Sequence, residues 1–274
     1  MELHDEDTAA TPRAMLGRRL RRLREASGLS QRALANVVGY PHTYISRVER
    51  GEQLPSEALA EAFDTYFRSD GLITELLAMA QDSLIADYSR KIVAKEGDAI
   101  RIQVFTSSIV PGLLQTEEYV RESFKVGLSG ETLPELDARV EVRKNRAGVL
   151  GKPEPPLYWA IMDEAALNRG SASSEVMARQ LEHLLAMAER PNITVQVLPF
   201  SRGFHPMMGG SLTLLTLRDG STVALVESFA SGSGVESPSR VVGLVQRFDV
   251  VRSQALPVSE SLDVIRRYLK GYAE

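Results

Sequence analysis

Ser30 to Gly51 reads SQRALANVVGYPHTYISRVERG, and the stretch divides into two short helices joined by a tight turn. Counting from Gln31, small or apolar residues fall at Leu34, Ala35, Val38, Ile45 and Val48, with Gly39 at the ninth position. Each residue type suits a helix-turn-helix: Ala35 lets two helices approach, Gly39 accepts the positive φ of the turn, and Ile45 and Val48 anchor the second helix. On a 3.6-residue period Thr43, Arg47 and Arg50 then line the opposite side, flanked by His42 and Ser46. The unit separates an inner face from a reading face.

Working outward, Leu16, Leu20 and Leu23 are spaced as the buried stripe of a preceding helix over about Ala14–Ser27, stopped by Gly28. Ser30 is a fit N-cap for the next helix, and Pro41 suits the first turn of the reading helix, where its missing N–H costs nothing. After a loop over Glu52–Pro55, Ser56 caps a helix through Phe67, and Leu72–Ala80 supplies a fifth. The chain as a whole carries a formal charge of −4, which argues against nucleic acid, yet charge is unevenly spread. From Arg13 to Arg50 there are nine arginines against two glutamates, a local charge of +7. Counterion release needs only such a local patch.

Leu16 to Pro55, LGRRLRRLREASGLSQRALANVVGYPHTYISRVERGEQLP, resembles the phage-repressor-like helix-turn-helix domain of the XRE family of transcriptional regulators. The agreement covers the helix starts, the turn glycine, the Arg-Val-Glu-Arg-Gly ending and the proline that follows. The resemblance implies site roles. Pro41, His42, Thr43 and Arg47 match positions that approach base edges in the major groove, Gln31 and Arg50 match phosphate contacts, and Arg24 and Glu49 match a partly buried ion pair tying the first helix to the reading helix. Arg47 is the candidate for a bidentate contact to guanine. Proline at Pro41 departs from the polar residue usual there and removes one base contact. Tyr44 lies toward the core side of the wheel and reads as packing.

Beyond this domain, Gln81–Glu96 stays helical in pattern, with Leu84, Ile85, Tyr88 and Ile92 on one face until Gly97 and Asp98 break it. Strands are expected at Ile100, Ile102 and Val104, at Leu157–Met162, at Ile193, Val195 and Val197, and at Leu212–Leu217 and Val223–Glu227, the last two joined by the hairpin signal Asp219-Gly220. Ser107–Tyr119 reads as turn-like. Helices are expected over about Pro134–Leu150, carrying Arg139, Arg143, Lys144 and Arg146, then over Ser174–Arg190, Val241–Gln254 and Val258–Leu269, with Ser231–Ser239 as a loop. Segments including IVPGLLQTEEYVR, PPLYWAIMDEAALNR and ALPVSESLDVIRRYL are similar to the uncharacterised carboxy-terminal domain of many actinomycete XRE regulators, the WhiJ-type proteins among them. Those regulators are often encoded beside small acidic proteins and are discussed as toxin-antitoxin-like or developmental switches.

The expected fold class is multidomain: an all-α five-helix repressor-like helix-turn-helix domain, then an α+β domain with a mixed or antiparallel sheet and flanking helices. Residues 1–12 are expected as a flexible tail, 13–80 as the DNA-binding domain, 81–97 as a helical connector, and 98–274 as an effector, partner and dimerisation domain. A length of 274 residues with 43% hydrophobic content supports a core in both domains. With no cysteine there is no disulfide, thiolate metal site or cysteine nucleophile. The start, MELHDEDTAATPR, has no signal-peptide pattern, and no apolar run reaches membrane-spanning length, so a cytoplasmic protein without a membrane partner is expected.

Catalysis finds little purchase. His4, His42, His183 and His205 are scattered, no metal-ligand spacing occurs, and GxSxG, Walker and post-strand GxGxxG patterns are missing, so no enzyme, metal or cofactor is expected. Phe204, His205, Met207 and Met208 sit in a glycine-flanked loop that reads as a ligand or partner lip. The expected function is a sequence-specific, double-stranded-DNA-binding transcriptional regulator. It acts as a homodimer, because one reading helix spans few base pairs. Its second domain senses a small acidic partner protein or a ligand. The alternative is an antitoxin-like interaction protein that neutralises a small partner and autoregulates its operon.

Overall fold

The computed structural model describes residues 11–127, 132–170, 173–228 and 231–273. The tail expected over residues 1–12 lies outside these except for Thr11 and Pro12, which start a helix: the Thr11 side chain accepts from the Ala14 amide at 3.2 Å. The chain divides into two compact units, residues 1–86 with 130–142, and residues 87–129 with 143–274.

The first unit begins with five helices: α1 (Pro12–Ala26), α2 (Gln31–Val38), α3 (His42–Glu49), α4 (Glu57–Phe67) and α5 (Leu72–Ser83). Ser30 and Ser56 cap α2 and α4 through their side chains, and Gly39 closes α2 in the left-handed region at φ 76°. Leu16, Leu20, Leu34, Ala35, Ile45, Val48, Phe63, Ile73 and Leu77 fuse into one core, with Leu23 only half-buried at its margin. Pro41 stands one position earlier than expected, as the residue before α3: its extended ψ of 138° keeps it outside the helix, which starts at His42. Helix α5 starts after Gly71, which has no side chain to cap it, and Asp64 on α4 does so instead: its carboxylate accepts the Ile73 and Thr74 amides at 2.8 and 2.9 Å.

The connector over 81–97 is not one helix. Helix α5 stops at Ser83, and a separate α6 (Asp87–Val93) is followed by a 3-10 turn at Glu96–Asp98. In the second unit six strands, β1 (Ala99–Thr106), β2 (Leu157–Asp163), β3 (Ile193–Leu198), β4 (Ser211–Leu217), β5 (Thr222–Glu227) and β6 (Gly232–Val235), form a mixed sheet in the order β3-β2-β1-β4-β5-β6. β1, β2 and β3 run parallel, with Ile102 opposite Tyr158 and Tyr158 opposite Ile193, whereas β4, β5 and β6 are antiparallel to their neighbours. The remaining helices are α7 (Glu117–Gly127), α8 (Leu133–Ala147), a short α9 (Ala165–Asn168), α10 (Ser174–Ala188), α11 (Pro238–Gln254) and α12 (Val258–Ala273). One sheet face, with Ile102, Tyr158, Ala160, Val195 and Leu215, packs on Leu181 and Leu184 of α10 and Ile265 of α12. The other, with Phe105, Ile161, Leu214 and Ala224, packs on Phe248 and Val251 of α11.

Two further elements differ from the sequence expectation. Helix α7 begins at Glu117, inside the Ser107–Tyr119 segment expected as turn-like, and β6 lies within the Ser231–Ser239 stretch expected as a loop. The β6 glycines are there because α6 lies directly on the strand: a Cβ on Gly232 would overlap the Tyr88 ring, and one on Gly234 would sit 3.1 Å from Ile92.

Candidate nucleic-acid interface

The α2 to α3 turn is held from behind. Glu49, at the end of α3, is buried, and its carboxylate takes both Nε and Nη2 of Arg24 at 2.5 and 3.0 Å. Arg24 Nη1 also donates to the Leu29 carbonyl at 2.7 Å, so one guanidinium ties α1 to α3 and to the segment entering α2. The Gln31 side-chain amide donates to Glu49 Oε2, the oxygen that also accepts from Arg24 Nη2, at 2.8 Å. One of its two N–H groups is therefore committed, leaving the second N–H and the carbonyl for another contact. Tyr44 packs as expected, but its hydroxyl is bonded: it accepts from the Ser56 amide at 2.9 Å and donates to the Leu54 carbonyl at 3.3 Å.

With the inner side so fixed, Pro41, His42, Thr43, Arg47 and Arg50 are all exposed. Together with Gln31 they line one open concavity of about 830 Å³, to which Gln53 adds an amide. The Arg47 side chain makes no hydrogen bond or ion pair among the described residues, and its guanidinium is free to meet a ligand. Arg50 is engaged: its Nε and Nη2 hold the Glu52 carboxylate at 2.6 and 2.8 Å, and its Nη1 donates to Ser46. Hydrogen bonding to Arg50 holds the Glu52 carboxyl below its usual range, and the same contact raises the Arg50 guanidinium. Gln53 and the neutralising role of Glu52 escape the sequence reading. Only the SRVERGEQ spacing hints at them, since Arg50 and Glu52 stand two apart across the glycine turn.

The loop read as a lip divides in two. Phe204 is 92% exposed and Met208 54% exposed, whereas Met207 is buried in the core beside α11. His205 is drawn inward: its Nε2 lies 3.2 Å from Asp163 Oδ2, its ring meets Phe105 edge-on, and its Nδ1 accepts from the Met207 amide at 3.3 Å. The apolar lip thus reduces to Phe204 and Met208. Asp163 and Glu164 serve local structure, Asp163 accepting from the Ala165 amide and Glu164 from the Phe200 amide and the Tyr268 hydroxyl.

Among the described residues no helix is long and apolar enough to cross a membrane. Two family profiles match the chain: a helix-turn-helix domain over residues 15–76, and a domain of unknown function (DUF5753) over residues 89–267. Neither a curated protein nor a solved structure matches it.

Proposed function

The chain belongs to the DUF5753 family and carries a helix-turn-helix domain, and on that premise we propose a sequence-specific DNA-binding transcriptional regulator whose second domain mediates dimerisation and senses a ligand or partner. One observation carries the reading: an unpaired Arg47 stands with His42 and Thr43 in an open concavity, on a helix whose opposite side is locked by the Arg24–Glu49 pair. A helix presented in this way suits the major groove, where a guanidinium forks onto guanine. Dimerisation follows from the short reading surface, because two half-sites about 34 Å apart, or a multiple of that, supply the affinity one helix lacks. No catalysis is assigned to either domain.

The test is selection of bound sequences from random DNA, then fluorescence anisotropy on the selected site. Arg47→Ala is expected to weaken the selected site about 5- to 150-fold, the loss of about 1–3 kcal/mol of discrimination. Its melting temperature stays at the wild-type value, since the Arg47 side chain holds nothing in the fold and its backbone carbonyl, which accepts from the Glu52 amide, is unchanged. Equal affinity of the wild-type chain for selected and scrambled DNA at physiological salt overturns the reading. Sedimentation of the full chain tests the dimer.

A further inference from the structure

The concavity on the reading side holds one polar group that the contacts of α3 leave without a part, the Gln53 carboxamide. Gln53 follows α3, beyond the turn that Gly51 makes at φ 70°. Both of its neighbours are tied down. The Glu52 amide donates to the Arg47 carbonyl at 2.9 Å and the Glu52 carboxylate is held by Arg50, while the Leu54 carbonyl accepts from the Tyr44 hydroxyl at 3.3 Å. The backbone of Gln53 is thereby fixed to α3 on either side, and this loop residue travels with the reading helix. Its own side chain is half-buried and makes no hydrogen bond among the described residues.

What a free carboxamide can take is set by its two ends, an NH2 that donates and an oxygen that accepts. A phosphate offers acceptors only, and would leave the Gln53 oxygen facing an anion. An adenine edge in the major groove offers a donor at N6 and an acceptor at N7, the complement of both ends at once. The rest of the lining is committed or suits another base. Gln31, the other carboxamide there, gives an N–H to Glu49; Ser46 takes a bond from Arg50; and Arg47 presents donors alone, which match guanine. No carboxylate lines the concavity, and the nearby Glu52 is gripped by Arg50, so the amino group of a cytosine meets no anionic acceptor.

We propose that Gln53 is a second base-reading residue, taking the N6 and N7 edge of an adenine through a bidentate carboxamide contact, beside the guanine taken by Arg47. The proposal rests on the reading of the helix-turn-helix as a base-reading surface, and names a further part of what is read: a half-site with a guanine and an adenine, each set by its own side chain. Arg47 lies on α3 and Gln53 past its end, so the two contacts are separable by substitution.

The test is selection from random DNA with the full chain and with its Arg47→Ala, Gln53→Ala and Gln53→Glu variants, followed by anisotropy with all four bases at each selected position. The wild-type chain is expected to favour adenine at one position roughly 5- to 150-fold, and Gln53→Ala to lose that preference while keeping the guanine that Arg47→Ala loses. Gln53→Glu is expected to move the preference from adenine to cytosine, whose N4 amino group donates to a carboxylate. Thermal melts of the Gln53 variants are expected to match the wild type, since the Gln53 side chain holds nothing in the fold. If phosphate repulsion keeps Gln53→Glu off DNA altogether, Gln53→Ala decides alone. Uniform weakening by Gln53→Ala on every sequence marks a phosphate contact and overturns the proposal, as does a preference profile that it leaves unchanged. A guanine dependent on Arg47 with no position dependent on Gln53 overturns the Gln53 assignment and leaves the regulator reading standing. Equal affinity of the wild-type chain for all sequences overturns the regulator reading, and the Gln53 assignment with it.

Discussion

Arg47 and Arg50 stand three residues apart on the reading side, yet only Arg47 has its charge to spare, because Glu52 grips Arg50 with both oxygens. A phosphate must therefore compete with a carboxylate for Arg50. Glu52→Ala is expected to tighten DNA binding and to steepen the slope of log K against log salt by about 1, with the melting temperature unchanged; titrations at several salt concentrations check this. An unchanged slope means that Arg50 meets no phosphate. At this scale the sequence was informative wherever a residue type and a spacing fixed a role together. Arg24 and Glu49 are 25 residues apart and were paired through the family pattern, and the structure joins them at 2.5 Å. Glu52 went unread because a glutamate in a loop after a glycine looks like any solvated charge.

Helix starts show how an element borrows what its own sequence lacks. Gly71 gives α5 no side-chain cap, so the cap comes from Asp64 of α4, which also accepts from Ser69 and Thr74 hydroxyls. Burial alone raises the Asp64 carboxyl, but the bonds from Ser69, Ile73 and Thr74 outweigh it and hold the group below its usual value. The unfolded chain thus takes up a proton there more readily than the folded one. The stability due to Asp64 is complete above the free carboxyl value of about 3.9 and is lost as pH falls through the lower folded value. Asp64→Ala is expected to cost about 1 kcal/mol at neutral pH and to flatten the acid limb of stability, measured by urea denaturation across acid to neutral pH. Strongly periodic elements, α1 to α5, α10 and β1 to β5, were legible. Helix α7 was masked by the Pro-Gly turn before it, and β6 was read as a loop because helix packing on the strand requires glycines, the residues that ordinarily signal irregular chain.

The whole molecule joins an acidic total, −4, to a stretch from Arg13 to Arg50 of +7, so its DNA affinity is set locally while its bulk charge repels DNA elsewhere. The existence of two domains was legible from length and pattern; their membership was not. Periodicity shows that 134–147 is a helix but not which core it serves, and residues 130–142 belong with the first unit. There Arg13 Nη1 donates to the Pro134 carbonyl at 3.1 Å, and Arg139 Nη1 donates to that of Leu84 at 2.5 Å. A fragment ending at residue 96 lacks both, and circular dichroism is expected to show it melting below the same unit in the full chain; an equal melting point refutes the assignment. The backbone passes from one unit to the other at 86/87, 129/130 and 142/143. A gene exchange with one breakpoint downstream of the five helices therefore transfers the first unit without residues 130–142. Substitution along α3, by contrast, changes the exposed surface of the helix-turn-helix and leaves residues 130–142 with the unit they belong to.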